Sequence, residues 1–208
     1  RTGTTTQAVL AFSADDGDTW TNPEPVARAA GVADASARPA ITGAGELFYL
    51  AWQDFREATP HIYFTTRGPA LVGSERRLSQ VGGSGAPSLS ARGRRVIAAW
   101  ESKPGLDGPD IYASVSENEG FGWEVPTALT SSAPQSAQPT TLILDDAAYV
   151  AWQDGSHGAF EAFLARRDAR VGWGVPTRFT ESPLASIRAR LAVNFPDAGA
   201  ARDAAAQV

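Results

Sequence analysis

Several residue types and segments are missing from this sequence, and each absence narrows what the chain can be. There is no cysteine, which excludes a disulfide framework and thiolate chemistry. There is no methionine either, so we expect a chain that was processed, truncated or cut from a longer one. No apolar run is long enough to cross a membrane, and no signal-peptide pattern is present. The two histidines, His61 and His157, lack metal-ligand spacing, and we expect both in exposed loops.

The overall composition points to an all-β protein. The net charge of −5 is mild and argues against a nucleic-acid partner. Helix-forming residues are not clustered, whereas glycine and proline punctuate the whole chain and tryptophan is abundant. Motifs for binding phosphates or dinucleotides are absent, as is the nucleophile elbow of hydrolases, so no cofactor is expected. At 208 residues the chain could bury one substantial core.

An internal repeat is clearest in three apolar runs, at 47–52, 96–100 and 147–152, each of which ends in a tryptophan. A half-exposed strand would alternate between polar and apolar residues, so continuous runs predict strands buried on both faces. We therefore expect the tryptophans to pack in the core, with stacking on a sugar as the alternative.

Each repeat contains four short strand candidates separated by turn residues. Four antiparallel strands in a unit of about 50 residues are typical of a propeller blade. The predicted strands are 38–41, 46–54, 61–66 and 76–79 in the first repeat, 86–89, 95–101, 110–116 and 123–130 in the second, and 138–141, 147–154, 161–166 and 173–180 in the third.

A hairpin signature precedes these repeats. Residues 13–20 read S-x-D-x-G-x-T-W, with a tight turn at Asp16 and Gly17. We expect the carboxylate of Asp15 to accept backbone N–H groups of the turn, as in Asx-turns. We expect Trp20 to supply an apolar plug directly after it.

The signature recurs at 116–123 and, with only its aspartate and tryptophan kept, at 166–173. A fourth position near 67–72 retains a predicted hairpin but has lost the box residues. We assign a structural role, not a catalytic one, to the residues of these hairpins: Ser13, Asp15, Gly17, Thr19, Trp20, Ser116, Asn118, Gly120, Trp123, Asp168 and Trp173.

This pattern resembles the Asp-box, or BNR repeat, of sialidases and related β-propellers. The resemblance covers most of the chain and implies an all-β propeller segment of about four blades, each with four antiparallel strands and an Asp-box hairpin. Further blades in a longer chain, or a partner, would cover its open ends, and a four-bladed ring sealed by both termini is the alternative. The expected divisions are an outer half-blade at 1–28, blades at 29–79, 80–130 and 131–180, and the start of a further blade or a tail at 181–208.

In a propeller of this type, the ends of the second strands converge on the rim opposite the box hairpins, where binding sites usually lie. The ligand-binding candidates on that rim are Asp54, Arg56, Glu101 and Asp154. Arg56 could clamp a carboxylate with its forked guanidinium. Alternatively, Asp54 and Asp154 cap loop N–H groups, and Asp54 pairs internally with Arg56.

The resemblance also implies what an active exo-sialidase would need. Such enzymes hold the substrate carboxylate with three arginines and use an aspartate as acid/base and a tyrosine activated by a glutamate. Their Phe/Tyr-Arg-Ile-Pro signature is absent here, and Arg188 and Arg190 lie on a candidate inner strand without a supporting motif. No catalytic residue and no metal ligand is therefore assigned.

The function expected from the sequence is a non-catalytic binding or scaffold module. Its partner would be a glycan, or a protein that completes the propeller or belongs to a larger complex. The alternative is part of an exo-α-sialidase or related glycoside hydrolase. By the habit of the family, we expect a secreted, periplasmic or cell-surface protein.

Overall fold

The computed structural model describes residues 7–27, 36–69, 71–103, 105, 108–131, 135–181 and 183–192. Every regular element in these ranges is a β-strand, and every strand pairing is antiparallel, which confirms the all-β class. No helix in the same ranges is long and apolar enough to cross a membrane. Most of the predicted tail, 193–208, lies outside the described residues.

The strands form one two-stranded hairpin and three larger sheets. The N-terminal hairpin consists of β1 (Val9–Leu10) and β2 (Glu24–Pro25). The first sheet contains β3 (Ser36–Ala44), β4 (Leu47–Asp54), β5 (His61–Gly68), β6 (Leu71–Val72) and β7 (Arg76–Arg77). The second contains β8 (Gly85–Arg92), β9 (Arg95–Ser102), β10 (Asp110–Ser116) and β11 (Thr127–Ala128). The third contains β12 (Ser136–Leu144), β13 (Ala147–His157), β14 (Ala159–Asp168), β15 (Gly172–Trp173) and β16 (Thr177–Arg178).

The fourth strand of each repeat is shorter than the sequence predicts. In the third sheet it is split into β15 and β16, with Pro176 in the gap. In the second sheet β11 begins only after Pro126. Proline has no N–H group to donate to the ladder, so pairing stops at these positions.

The three sheets pack face to face in chain order, and their first strands β3, β8 and β12 contact one another in turn. We call the face of a sheet that meets the preceding unit its backward face, and the other its forward face. Phe64 on the forward face of the first sheet packs with Trp100 on the backward face of the second. Ile97 of the second sheet packs in the same way with Trp152 of the third. The N-terminal hairpin covers the backward face of the first sheet, which carries Trp52.

The second strands are buried on both faces, as their apolar runs predict. In β9, Ile97 and Ala99 pack toward the third sheet, whereas Val96, Ala98 and Trp100 pack toward the first. The tryptophans that end all three runs are fully buried. They therefore belong to the core between sheets and are not available to stack on a sugar.

A bulge interrupts each first strand at the same repeat position, just before a proline. The residues there are Arg38, Ala86 and Gln138, with φ of 49°, 48° and 56°. The register of the first strand against the second shifts at each of them, because the proline cannot donate to the ladder. Arg188 has a φ of 57° at the equivalent position of the segment 183–192. All four residues lie at the rim where the second strands end.

A hydroxyl group joins the end of each repeat to the start of its third strand. Thr130 Oγ1 accepts the N–H of Ile111 at 2.9 Å and donates to Asp110 Oδ1 at 2.9 Å. Ser79 and Thr180 accept the corresponding N–H groups in the first and third sheets, each at 2.9 Å. A polar residue at a fixed repeat position thus anchors the fourth strand to the third.

Two expectations for single side chains were wrong. Trp20 is not an apolar plug, because 64% of its surface is exposed. His61 is buried at the start of β5, where its Nδ1 lies 3.0 Å from Ser79 Oγ, and does not lie in an exposed loop. His157 is exposed, as expected, at the end of β13.

We predict that Thr130→Val destabilises the protein by about 1–2 kcal/mol, because valine keeps the shape but leaves the N–H of Ile111 without its acceptor. Thr177→Val is the matched control, since Thr177 is an exposed strand residue. Urea unfolding monitored by tryptophan fluorescence measures both. Equal midpoints for the two variants would contradict the anchoring role.

Candidate functional site

The first box hairpin is closed by a local network of hydrogen bonds. Ser13 Oγ donates to Asp15 Oδ1 at 2.8 Å and accepts the N–H of Gly17 at 2.8 Å. Asp15 also accepts the N–H of Thr19 at 2.8 Å and its hydroxyl at 2.6 Å. Trp20 Nε1 donates to the Gly17 carbonyl at 3.0 Å. The bond from the Thr19 hydroxyl, followed by that from its N–H, holds the pKa of Asp15 below its usual range.

The second box hairpin repeats this network with asparagine in place of aspartate. Ser116 Oγ donates to Asn118 Oδ1 at 3.0 Å and accepts the N–H of Gly120 at 2.9 Å. Asn118 Oδ1 accepts the N–H of Gly122 at 2.7 Å, and Trp123 Nε1 donates to the Gly120 carbonyl at 3.1 Å. Every partner of this network lies in the hairpin itself, so its residues shape the turn.

The two remaining hairpins differ from these. Asp168 accepts the N–H groups of Arg170 and Val171 at 2.9 and 3.3 Å, two and three residues on, whereas Asp15 accepts one four residues on. The bond from the N–H of Arg170 is the main reason that the pKa of Asp168 lies below its usual value. The hairpin at 67–72 pairs β5 directly with β6.

Asp54, a ligand candidate from the sequence, is buried and fully engaged by its own loop. Its carboxylate accepts hydrogen bonds from Trp52 Nε1 at 2.8 Å and from the backbone N–H of Arg56 at 2.9 Å. The Arg56 guanidinium adds two more, from Nε at 2.8 Å and from an Nη at 2.7 Å. Burial raises the pKa of Asp54, but the bonds from Arg56 and Trp52 outweigh it, so the net pKa lies below the usual value.

Arg56 is committed to the same cluster. Besides Asp54, it donates to Glu75 at 2.7 Å and lies over the ring of Tyr63, 4.1 Å from its centroid. Its hydrogen bond to Asp54 is the main reason that its pKa is raised. A guanidinium with two carboxylate partners has little capacity left for a third.

Asp154 and Glu101 also have internal partners. Asp154 accepts the Ser136 hydroxyl at 2.6 Å and the N–H of Ser156 at 2.9 Å. Burial raises its pKa, but these bonds outweigh burial and lower the net value. Glu101 Oε1 accepts the N–H of Gln138 at 2.7 Å. The structure therefore pairs Asp54 with Arg56 and gives Glu101 and Asp154 partners of their own.

An open cavity of about 340 Å³ lies on the same rim, between the bulges of successive first strands. Glu101 and Gln153 lie at the ends of the second strands. They accept the N–H groups of Gln138 and Arg188 at 2.7 and 3.1 Å, and so hold the bulge at Gln138 and the positive-φ position at Arg188. Two exposed arginines give the cavity a positive lining. Its lining residues are Ala86, Pro87, Gln138, Pro139, Arg188 and Arg190.

The residues that line this cavity were not among the ligand candidates predicted from the sequence, although Arg188 and Arg190 were noted on a candidate inner strand. The signal in the sequence is the residue before each proline at 39, 87 and 139, which recurs once per repeat. The bulge at that position follows from the missing N–H of the proline. Gln138, which lies at one of these bulges, lines the cavity.

A second polar cluster surrounds Glu57. Tyr63 donates its hydroxyl to Glu57 Oε1 at 2.8 Å, and Arg77 donates to Oε2 at 2.7 Å. His61 Nε2 lies 3.6 Å from the same carboxylate. Burial is the main reason that the pKa of Tyr63 is raised, which opposes its ionisation to a nucleophile. Within the described ranges, no group of three or more histidine, cysteine, aspartate or glutamate side chains could hold a metal ion.

Comparisons with known proteins return structural neighbours at low identity. No family model and no curated protein sequence matches the chain. The α-L-arabinofuranosidase of Podospora anserina is similar at 13% identity over 89% of this chain and 59% of that one, with a TM-score of 0.48. A family 117 glycoside hydrolase of Zobellia galactanivorans is similar at 8% identity over 70% of this chain and 55% of that one, with a TM-score of 0.49. A neuraminidase-like protein from A/bat/Guatemala is similar at 10% identity over 65% of this chain and 36% of that one, with a TM-score of 0.47. The chain thus spans about a third to three fifths of the length of these proteins. The description of its fold is taken from its own sheet order and packing.

We predict that Ser116→Ala destabilises the protein by about 1–2 kcal/mol, because the N–H of Gly120 then loses its acceptor in a buried position. Ser13→Ala is the matched control: it removes the same bond in the exposed hairpin, where water replaces the hydroxyl. Thermal unfolding at low protein concentration compares the two. A larger loss for Ser13→Ala would contradict this account.

We predict that Asp54→Asn lowers stability by roughly 2–4 kcal/mol at pH 7, because Arg56 loses a buried carboxylate partner. The pKa of Asp54 is lower in the folded state, so its contribution is present above the unfolded pKa of about 3.9 and is lost as the pH falls below it. The difference between wild type and variant should therefore shrink below about pH 4. Denaturant titrations from pH 7 down to pH 2.5 test this, and a constant difference would refute it.

Proposed function

We propose that the chain is part of a sialidase-like Asp-box β-propeller. We further propose that it acts as a non-catalytic module that binds an acidic glycan at the rim where its second strands end. The observation that carries this proposal is the cavity between the bulges, whose lining includes two exposed arginines. The carboxylates expected on the same rim face inward to partners of their own.

The propeller assignment is supported by the repeat of sheets and hairpins. In each of the three sheets the first strand lies at one edge, where it contacts the first strand of a neighbouring sheet, and the fourth strand lies at the opposite edge. Two hairpins carry the same serine, acid or amide, glycine and tryptophan network. About four blades, counted with the N-terminal hairpin as half a blade, fit this repeat.

The ligand class follows from the chemistry of the rim. Arginine binds carboxylates through two parallel hydrogen bonds, and Arg188 and Arg190 both line the cavity. Arg38 occupies the same repeat position in the first sheet. Gln138 adds an amide that can pair with sugar hydroxyls. A glycan bearing a carboxylate matches this set, and such a role suits the extracytoplasmic location expected from the sequence.

A second candidate is an exo-α-sialidase or related glycoside hydrolase. The hydrogen bond between Tyr63 and Glu57 favours it, since a tyrosine paired with a glutamate is what the resemblance implies for catalysis. Two observations count against it: the raised pKa of Tyr63, and the absence of both residues from the lining of the arginine cavity.

We predict that the protein binds N-acetylneuraminic acid and that replacing both Arg188 and Arg190 by alanine weakens this binding tenfold or more, because charge-assisted hydrogen bonds of about 1.5–3 kcal/mol are lost. Arg170→Ala is the matched control, since this exposed arginine lies on a box hairpin at the opposite rim. Ligand-observed NMR and calorimetry measure the affinity, and the neutral sugar N-acetylmannosamine tests the role of the carboxylate.

A fluorogenic sialoside separates the two candidate functions. Binding without release of the fluorophore supports the binding module. Turnover that disappears in Tyr63→Phe would instead establish the hydrolase. Affinity that is unchanged by the double arginine replacement would remove the proposed site from this cavity.

A further inference from the structure

A groove lies between the fourth-strand edges of the first and second sheets, on the side away from the first strands. It contains two open cavities of about 260 and 200 Å³. Arg76 of β7 lines both of them, so it lies where the two cavities meet. The walls of the groove also include Val72, Gln80, Phe121, Trp123 and Val125.

Arg76 gives this groove an uncompensated positive charge. The other charged side chains of the first cavity have partners, since Arg77 donates to Glu57 at 2.7 Å and Glu124 accepts a guanidinium N–H of Arg167. Arg76 is exposed, and in the part of the chain that the structure describes its side chain makes no hydrogen bond or ion pair. An anionic group that enters the groove therefore meets a guanidinium that is not already neutralised.

The repeat shows that the fold does not require an arginine at this position. Arg76 pairs with Phe64 across the first sheet, and Thr127 and Thr177 hold the same position in the second and third sheets. A short polar side chain is thus sufficient for the fourth strand. The forked guanidinium of Arg76 adds the capacity to bind a carboxylate or a sulfate through two parallel hydrogen bonds.

Aromatic and apolar side chains flank Arg76 on the wall formed by the second sheet. Trp123 is half-buried, and its ring packs edge-on against Phe64 with centroids 4.9 Å apart. Phe121 and Val125 are 52% and 73% exposed. Gln80 is exposed on the facing wall and supplies an amide. Binding sites for small polar ligands combine apolar walls with a few polar groups in this way.

We propose that this groove binds a linear glycan through one acidic sugar, whose carboxylate or sulfate pairs with Arg76. The neighbouring sugars lie in the two cavities, against Trp123 and Phe121. Both cavities are smaller than the roughly 300–1,000 Å³ of a pocket for a drug-sized ligand, so each suits a single sugar ring. The groove shares no lining residue with the arginine cavity on the rim, so either site can exist without the other.

The backbone of the groove favours a glycan over an extended peptide. A peptide of that kind binds by adding a strand to a sheet edge. The edge strands β6 and β7 contain two residues each, and residues 73–75 between them belong to no strand. Pro126 on the facing wall has no N–H to donate. Side chains therefore supply the contacts in this groove, and not a ladder of main-chain groups.

An NMR titration with trigalacturonic acid, a linear trimer of uronic acids, tests the proposal. The indole N–H signal of Trp123 reports on the groove and is assigned by its loss in Trp123→Phe. We expect a saturable shift of this signal in the wild type. Arg76→Gln should weaken binding by roughly tenfold or more, because charge-assisted hydrogen bonds are lost. Phe121→Ser should weaken it by roughly threefold or more.

Matched controls come from the third box hairpin. Arg170→Gln removes an exposed arginine and Val171→Ser an exposed apolar side chain, and neither should change the affinity. Arg76 and Phe121 are exposed as well, so their variants should unfold at the temperature of the wild type. The methyl ester of the trimer lacks the charge and should not shift the Trp123 signal. A sulfated galactose trimer that binds in place of trigalacturonic acid would identify the acidic group as a sulfate.

The rim site is separated by a second titration. Replacing Arg188 and Arg190 by alanine should leave the shift of the Trp123 signal unchanged, whether or not the rim itself binds an acidic sugar. A shift that disappears in this double variant but persists in Arg76→Gln would assign the binding to the rim and overturn the groove.

Four further results would contradict the proposal. The first is a Trp123 signal that neither acidic trimer shifts at concentrations up to about 10 mM, the range of weak binding. The second is equal affinity of the wild type and Arg76→Gln. The third is equal binding of the methyl ester, which would remove the role of the charge. The fourth is tighter binding of a glutamate tripeptide than of either trimer, which would assign the groove to a peptide.

Discussion

The structure depends on strands that are apolar on both faces. Such a strand is stable only when other residues pack on both of its faces, and in the first two sheets the neighbouring units provide this packing on both sides. The chain meets this requirement by stacking its sheets in sequence order. In the second sheet, Trp100 packs on the backward face and Ile97 packs on the forward face. The face-to-face stacking of the sheets follows from this requirement.

The first strands pair on one side only, and their other edge meets the neighbouring sheet. Hydroxyl groups satisfy part of that edge: Ser88 and Ser90 accept the N–H groups of Thr141 and Ile143, each at 3.1 Å. Where a proline removes the ladder bond, the chain bulges and exposes a side chain at the rim. The arginine cavity therefore lies at positions that strand pairing cannot use.

The sequence predicted the all-β class, the strand order and the buried tryptophans, because periodicity and burial leave a direct trace in residue type. The binding rim stays a prediction. The sequence did not decide whether Asp54 faces a ligand or its own loop, because that depends on Arg56 and Trp52 reaching back to it. The burial of His61 was also missed, because its partner Ser79 is distant in the chain. Side-chain hydrogen bonds of this kind leave no recurring residue pattern in a sequence.

The box hairpins have a consequence for how the chain folds. The side-chain bonds of Ser13, Asp15 and Trp20 in the first hairpin join residues no more than four positions apart. Loops this short close at little entropic cost, and hairpins form within microseconds. The hairpins can therefore be in place before distant strands meet, and each offers a preformed edge on which its sheet assembles. A repeat that carries its own folding start can be duplicated or lost without delaying the others.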